Sequence, residues 1–106
     1  MAGRGLAQWL GGVVSKITMS EWKVYILWSD KKRTYTGCAQ DEIVRLERHN
    51  NGYVTATKNH RPWEIIYVES AGDYKTARTR EKYYKSSAGR RKIRQILQDS
   101  GKIEES

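Results

Sequence analysis

Residues 22 to 28, Trp-Lys-Val-Tyr-Ile-Leu-Trp, carry apolar groups on both sides of a two-residue repeat. Trp22, Val24, Ile26 and Trp28 fall on one face and Tyr25 and Leu27 on the other, the pattern of a central strand covered on both sides. Ser29 to Lys32 predicts a polar turn, and Arg33-Thr-Tyr-Thr-Gly37 the returning strand of a hairpin. From Asp41 to Asn50 the spacing becomes helical, with Ile43 and Leu46 expected to face the core. Asn50-Asn51-Gly52 should stop that helix, because Asn and Gly tolerate the left-handed conformation. A loop from Tyr53 to Arg61 leads through Pro62 to a third strand, residues 63 to 68, again apolar on both faces. Ala71-Gly72-Asp73 predicts a turn, with Asp73 placed to cap the next helix. That helix, about residues 74 to 86, is basic on its outside. A last helix, about residues 88 to 99, has Ile93, Ile96 and Leu97 as its apolar stripe. The order β-β-α-β-α-α describes an α+β domain, a small three-stranded antiparallel sheet flanked by helices.

The first twenty residues stand apart. Leu6, Trp9, Leu10, Val13, Val14 and Ile17 recur at helical spacing, but Gly11 and Gly12 weaken that helix in its middle. The stretch reads as a leader, an appended extension or a short amphipathic helix, outside a core domain at residues 21–99. Residues 100–106 read as a tail. A chain of 106 residues suits one domain. No run approaches the ~20 apolar residues of a membrane span. One Cys and two His exclude a disulfide framework and the usual Cys/His zinc site. A cytoplasmic monomer is the expectation.

Charge changes the picture. Lys75, Arg78, Arg80, Lys82, Lys85, Arg90, Arg91, Lys92 and Arg94 face a single acid, Glu81, so this window carries the whole formal charge of +8. Such a face suits a phosphate backbone, because neutralising phosphates releases counterions. The plainer reading is a solvated helical surface. Within the window, Tyr74, Ala77, Glu81 and Tyr84 share one helical stripe, which turns the Glu81 carboxylate inward. A carboxylate there needs an arginine partner, a bound cation or an edge position open to solvent.

On the first helix Arg45 and His49 are one turn apart and share a face. Arg45 can fork onto phosphate oxygens or simply pair with Asp41, and His49 can move a proton near neutral pH. Tyr25 and Tyr35 come from paired strands, so their hydroxyls can lie close together, although most strand tyrosines only pack. Cys38 reads as a small packing residue rather than a nucleophile, since the pattern places no base beside it. His60, between Lys58 and Arg61, reads as a surface or DNA-facing residue, and Trp63 as core.

Tyr35-Thr36-Gly37, followed by Arg45 eight residues after the glycine and His49 four further on, resembles the GIY-YIG nucleases. The whole stretch from Tyr35 to Gly52 is similar to the single-domain, excision-repair-nuclease-like branch of that family. Lys58-Asn-His-Arg-Pro-Trp-Glu64 and Thr79-Arg-Glu-Lys-Tyr-Tyr-Lys85 are similar to it too, in the same order. One departure stands out: the first motif, Gly-Ile-Tyr, falls on Lys23-Val24-Tyr25, which keeps the tyrosine and loses the glycine. The resemblance implies catalytic roles for Tyr25, Tyr35, Arg45, His49 and Glu81, with Glu81 holding Mg²⁺ or Mn²⁺. It further implies an endonuclease that hydrolyses phosphodiester bonds of nucleic acid, DNA first, in repair or recombination. Lys58, Arg61, Lys82, Lys85, Arg90 and Arg91 are the expected nucleic-acid contacts. A binding module with vestigial or partner-dependent cleavage is the alternative, and a protein–protein adaptor a third reading that the charge window disfavours.

Overall fold

Three strands and three helices make up the domain in the computed structural model, which describes residues 21–104. They are β1 (Trp22–Ser29), β2 (Arg33–Ala39), α1 (Glu42–Asn50), β3 (Trp63–Gly72), α2 (Tyr74–Tyr84) and α3 (Ser87–Asp99), with a short 3-10 turn at Lys58–His60. All strand pairs are antiparallel and the sheet order is β2-β1-β3. The amphipathic stripe expected within residues 1–20 lies outside the described residues.

β1 is central, which is why its sequence is apolar on both faces. Val24, Ile26 and Leu27 are fully buried and Tyr25 nearly so. On one face Val24, Ile26 and Trp28 pack against Ala77 and Tyr84 of α2 and Ile93 and Leu97 of α3. Tyr25 faces the other way, toward α1. Asp41, Asp73 and Ser86 begin the three helices by accepting hydrogen bonds from the N–H groups of Ile43 and Val44, of Thr76, and of Gly89.

Several boundaries move. β2 runs on to Ala39, pairing Cys38 with Val24 and Ala39 with Lys23. β3 continues through the expected turn to Gly72, and a register shift between Trp22 and Lys23 absorbs the extra residue as a bulge. As an edge strand β3 is less covered than its composition suggests, with Val68 half-exposed. α2 stops at Tyr84 because Ser86 is recruited as the cap of α3. A Cβ on Gly89 would lie 2.0 Å from the Tyr83 carbonyl oxygen, so only glycine lets α3 start this close to the end of α2.

Two expected core positions are corrected. Ile43 is 56% exposed, not core, and Leu46 is only half-buried; the residue that α1 buries is His49. At ~100° per residue, positions 42, 45 and 49 form the inward stripe and Ile43 lies about 120° away from His49. Tyr74 is also 49% exposed, because it sits in the first turn of α2 beyond the sheet, edge-to-face with Trp22 at 4.7 Å.

Candidate active site

Tyr25, Tyr35, Arg45 and Glu81 line one cleft of about 270 Å³, together with Trp22, Gly37, Cys38, Tyr74 and Arg78. They arrive on four different elements. The hairpin register sets Tyr25 opposite Gly37 and Leu27 opposite Tyr35, so the two tyrosines are diagonal neighbours on one face. Their ring centroids are 6.4 Å apart. Gly37 lets Tyr25 lie across β2: a Cβ there would stand 2.6 Å from the Tyr25 hydroxyl oxygen and 2.8 Å from Cζ. Any side chain at Gly37 would push the phenol out of the cleft.

Behind Tyr25 sits His49, buried, with Nε2 2.9 Å from the Tyr25 hydroxyl and Nδ1 2.8 Å from the Thr57 hydroxyl. Thr57, also fully buried, donates its single hydroxyl proton to the Val54 carbonyl at 3.3 Å. With the proton placed there, the Thr57 oxygen accepts from Nδ1–H of His49 and Nε2 accepts the Tyr25 proton. Burial lowers the His49 pKa, and the nearby Arg45 and Arg48 lower it further, so the ring is neutral at pH 7. Burial raises the Tyr25 pKa far above its ordinary value; Tyr35 adds to the rise, and the Arg45 guanidinium beside the hydroxyl opposes it. The pair is thus a neutral phenol donating to a neutral imidazole.

Across the cleft Glu81 is mostly covered, its side chain 14% exposed. One carboxylate oxygen accepts from Lys85 Nζ at 2.9 Å. The other accepts from Cys38 Sγ at 3.4 Å and lies 3.7 Å from Arg78 Nε. Burial, followed by the hydrogen bond to Glu81, raises the Cys38 pKa, which keeps the thiol protonated and a poor nucleophile. No group of three or more His, Cys, Asp or Glu side chains is gathered as metal ligands among the described residues. A single carboxylate facing a cleft suits a hard cation that keeps most of its waters, such as Mg²⁺ or Mn²⁺, and does not suit zinc. Lys85 and Arg78 are more than half exposed, so both can swing away from Glu81.

A second carboxylate fixes the helix that carries Glu81. Glu69 of β3 accepts from Arg80 through Nε and Nη2, at 2.5 and 3.2 Å, and from the hydroxyls of Tyr84 at 2.6 Å and Tyr67 at 3.0 Å. These bonds, led by that of Arg80, lower the Glu69 pKa. Arg80 also lies over the Tyr83 and Tyr84 rings, so this member of the basic window is committed to the fold.

The other basic residues are dispersed. Lys82 lines a shallow hollow with Tyr74, Lys75 and Arg78 beside the cleft, while Lys85 is bound to Glu81. Arg90 borders a groove with Thr34 and Ile93, and Arg91 is exposed on α3. Lys58 and Arg61 do not line the cleft; Arg61 Nε donates to the Lys58 carbonyl at 2.7 Å. His60 is half-buried, and its carbonyl accepts from Ser29. Trp63 is core, its indole N–H donating to the Thr57 carbonyl at 2.9 Å.

Sequence reasoning overlooked Thr57, which orients His49 from a loop without periodicity. It also overlooked Trp22 and Tyr74, an aromatic pair at the cleft, because 52 positions separate them in the chain.

A family model described as the GIY-YIG catalytic domain matches residues 21–94. Among curated sequences, a UPF0213 protein of Staphylococcus epidermidis is 35% identical over 74 residues, covering 69% of this chain and 90% of that protein. A UPF0213 protein of Syntrophus aciditrophicus is 32% identical over 83 residues, covering 76% and 95%. A Staphylococcus aureus UPF0213 protein is 35% identical over 74 residues, with the same coverage as the first. No solved structure matches significantly.

Proposed function

Because the chain belongs to the GIY-YIG family, we propose that it is a divalent-metal-dependent endonuclease hydrolysing phosphodiester bonds of DNA, a cytoplasmic monomer serving repair or recombination. One observation carries this reading: Tyr25, Tyr35, Arg45 and Glu81 converge on one cleft, with a neutral base hydrogen-bonded behind Tyr25.

In the proposed reaction Tyr25 activates the attacking water without ever becoming a free phenolate. Its oxygen takes a proton from the water as its own proton passes to His49 Nε2. The raised phenol pKa is then no obstacle, since no net charge settles on Tyr25. Tyr35, half-exposed on the same face, orients that water. Arg45 stabilises the charge that builds on the phosphate oxygens through charge-assisted hydrogen bonds. Glu81 would hold Mg²⁺ or Mn²⁺, and a bound cation would supply neutralisation of the scissile phosphate and leaving oxygen.

The binding-module alternative has one observation in its favour: both Glu81 oxygens are already engaged by Lys85, Cys38 and Arg78. Plasmid, linear and branched DNA incubated with the protein separate the two. Nicking with Mg²⁺ or Mn²⁺ that disappears with chelator supports the nuclease. Retention of DNA without nicking above a Glu81→Ala control supports the module.

Binding itself is expected to weaken steeply with salt, with a log–log slope of about −0.9 per phosphate neutralised on duplex. Charge reversal of Arg90 and Arg91 together should lower affinity similarly for unrelated sequences, because lysine and arginine on phosphates position DNA without reading it. A salt titration by fluorescence anisotropy measures both. A double variant that binds as tightly as wild type would remove α3 from the interface.

A further inference from the structure

Next to the cleft lies a second hollow, of about 440 Å³, with which it shares Trp22 and Arg45. Val44, Val54, Arg48 and Asp41 also line it. Val44 is 51% exposed and leaves an apolar side chain open on the wall of the hollow. The Asp41 carboxylate accepts from the N–H groups of Ile43 and Val44, and the two arginines outnumber this one acid in the hollow, which is left net positive. On the cleft side, Trp22 meets the half-exposed Tyr74 edge-to-face, with Arg78 5.9 Å from the Tyr74 ring centre. Aromatic and aliphatic faces interleaved with arginines are the chemistry of a stacked base and its phosphate.

Resting on the reading of the cleft as a phosphodiesterase site, we propose that this hollow is a subsite for an unpaired nucleotide of the substrate strand. Its base lies on Trp22 and its phosphate between Arg45 and Arg48. Stacked duplex bases present only their edges in the grooves, so an apolar floor of this kind discriminates for a nucleotide that has left the stack. Because Trp22 and Arg45 belong to both hollows, the unpaired nucleotide adjoins the scissile phosphate. The preferred substrate is therefore a strand that is single at the point of cleavage, as in a flap or a gap.

Binding of fluorescein-labelled twelve-residue oligothymidylate and of a twelve-base-pair duplex, both in EDTA, reads the hollow independently of any cleavage. The wild-type protein should bind the single strand more tightly. Trp22→Ala should weaken that binding roughly tenfold while changing duplex affinity less than twofold. Trp22 packs partly on the core, so two further variants keep the test decisive. Trp22→Phe should restore most of the affinity, and Val44→Asp, on an exposed helix surface, should weaken the single strand selectively. Tighter binding of duplex by wild type, or equal losses on both ligands, would overturn the subsite. If the wild type cleaves nothing yet shows these affinities, the nuclease reading fails and the subsite stands.

Discussion

Glu81→Ala protein is expected to cleave DNA about 10³-fold more slowly than wild type while melting at nearly the same temperature. The rate loss follows from its position. Glu81 contributes the only carboxylate among the residues lining the cleft, so without it nothing there retains a divalent cation beside the phosphate. Stability should barely change, because its partners are exposed. Lys85 and Arg78 have side chains 57% and 58% exposed, and such surface pairs contribute about 0–1 kcal/mol each. DNA affinity in EDTA should be preserved or rise, since one negative charge leaves a basic surface. Single-turnover cleavage, thermal melting and anisotropy check the three statements. Wild-type turnover in this variant would take the metal role away from Glu81.

Tyr25→Phe is the second large effect, a loss of roughly 10²–10⁴-fold in kcat/KM, the usual size of a general-base contribution. Unlike the first variant it should also destabilise, by about 1–3 kcal/mol, because His49 Nε2 is left buried without a donor. The pH profile identifies the relay. His49 must be neutral to receive a proton, and burial lowers its pKa below the ordinary 6.5. The acid limb of kcat/KM should therefore fall below pH 6.5 and vanish from the residual activity of His49→Asn. Stability has the same sign. The unfolded chain takes up this proton near pH 6.5 and the folded one only at lower pH, so stability decreases as pH falls through that window. An acid limb centred at or above 6.5 would exclude His49 as the acceptor.

The sheet was legible because β1 advertises its central place: a strand apolar on both faces has nowhere else to be. The helices were legible in number and order, and the cap at Asp73 and the left-handed stop at Gly52 could be read from residue chemistry alone. Ile43 was misplaced for a physical reason. The stripe that α1 turns inward is built from Arg45 and His49, and hydrophobic periodicity does not register polar residues that are buried for their chemistry. The spacing of Tyr35, Gly37, Arg45 and His49 carried much of the candidate site, since one hairpin and one helix present them locally. Thr57 could not be read, as its role exists only once the loop folds over α1. The Trp22–Tyr74 contact depends on β3 continuing to Gly72, where the residues had suggested a turn.

The cleft is encoded in two unequal pieces. Residues 22–50 form a continuous cassette bearing both tyrosines, the glycine, the arginine and the histidine, whereas Glu81 arrives on a helix fastened to β3 by Glu69. On the proposed reading, proton handling and cation holding are therefore encoded in separate segments. A substitution at Glu81 would then abolish cutting while the cassette and the sheet that carries it stay intact, leaving a protein able to bind without cleaving.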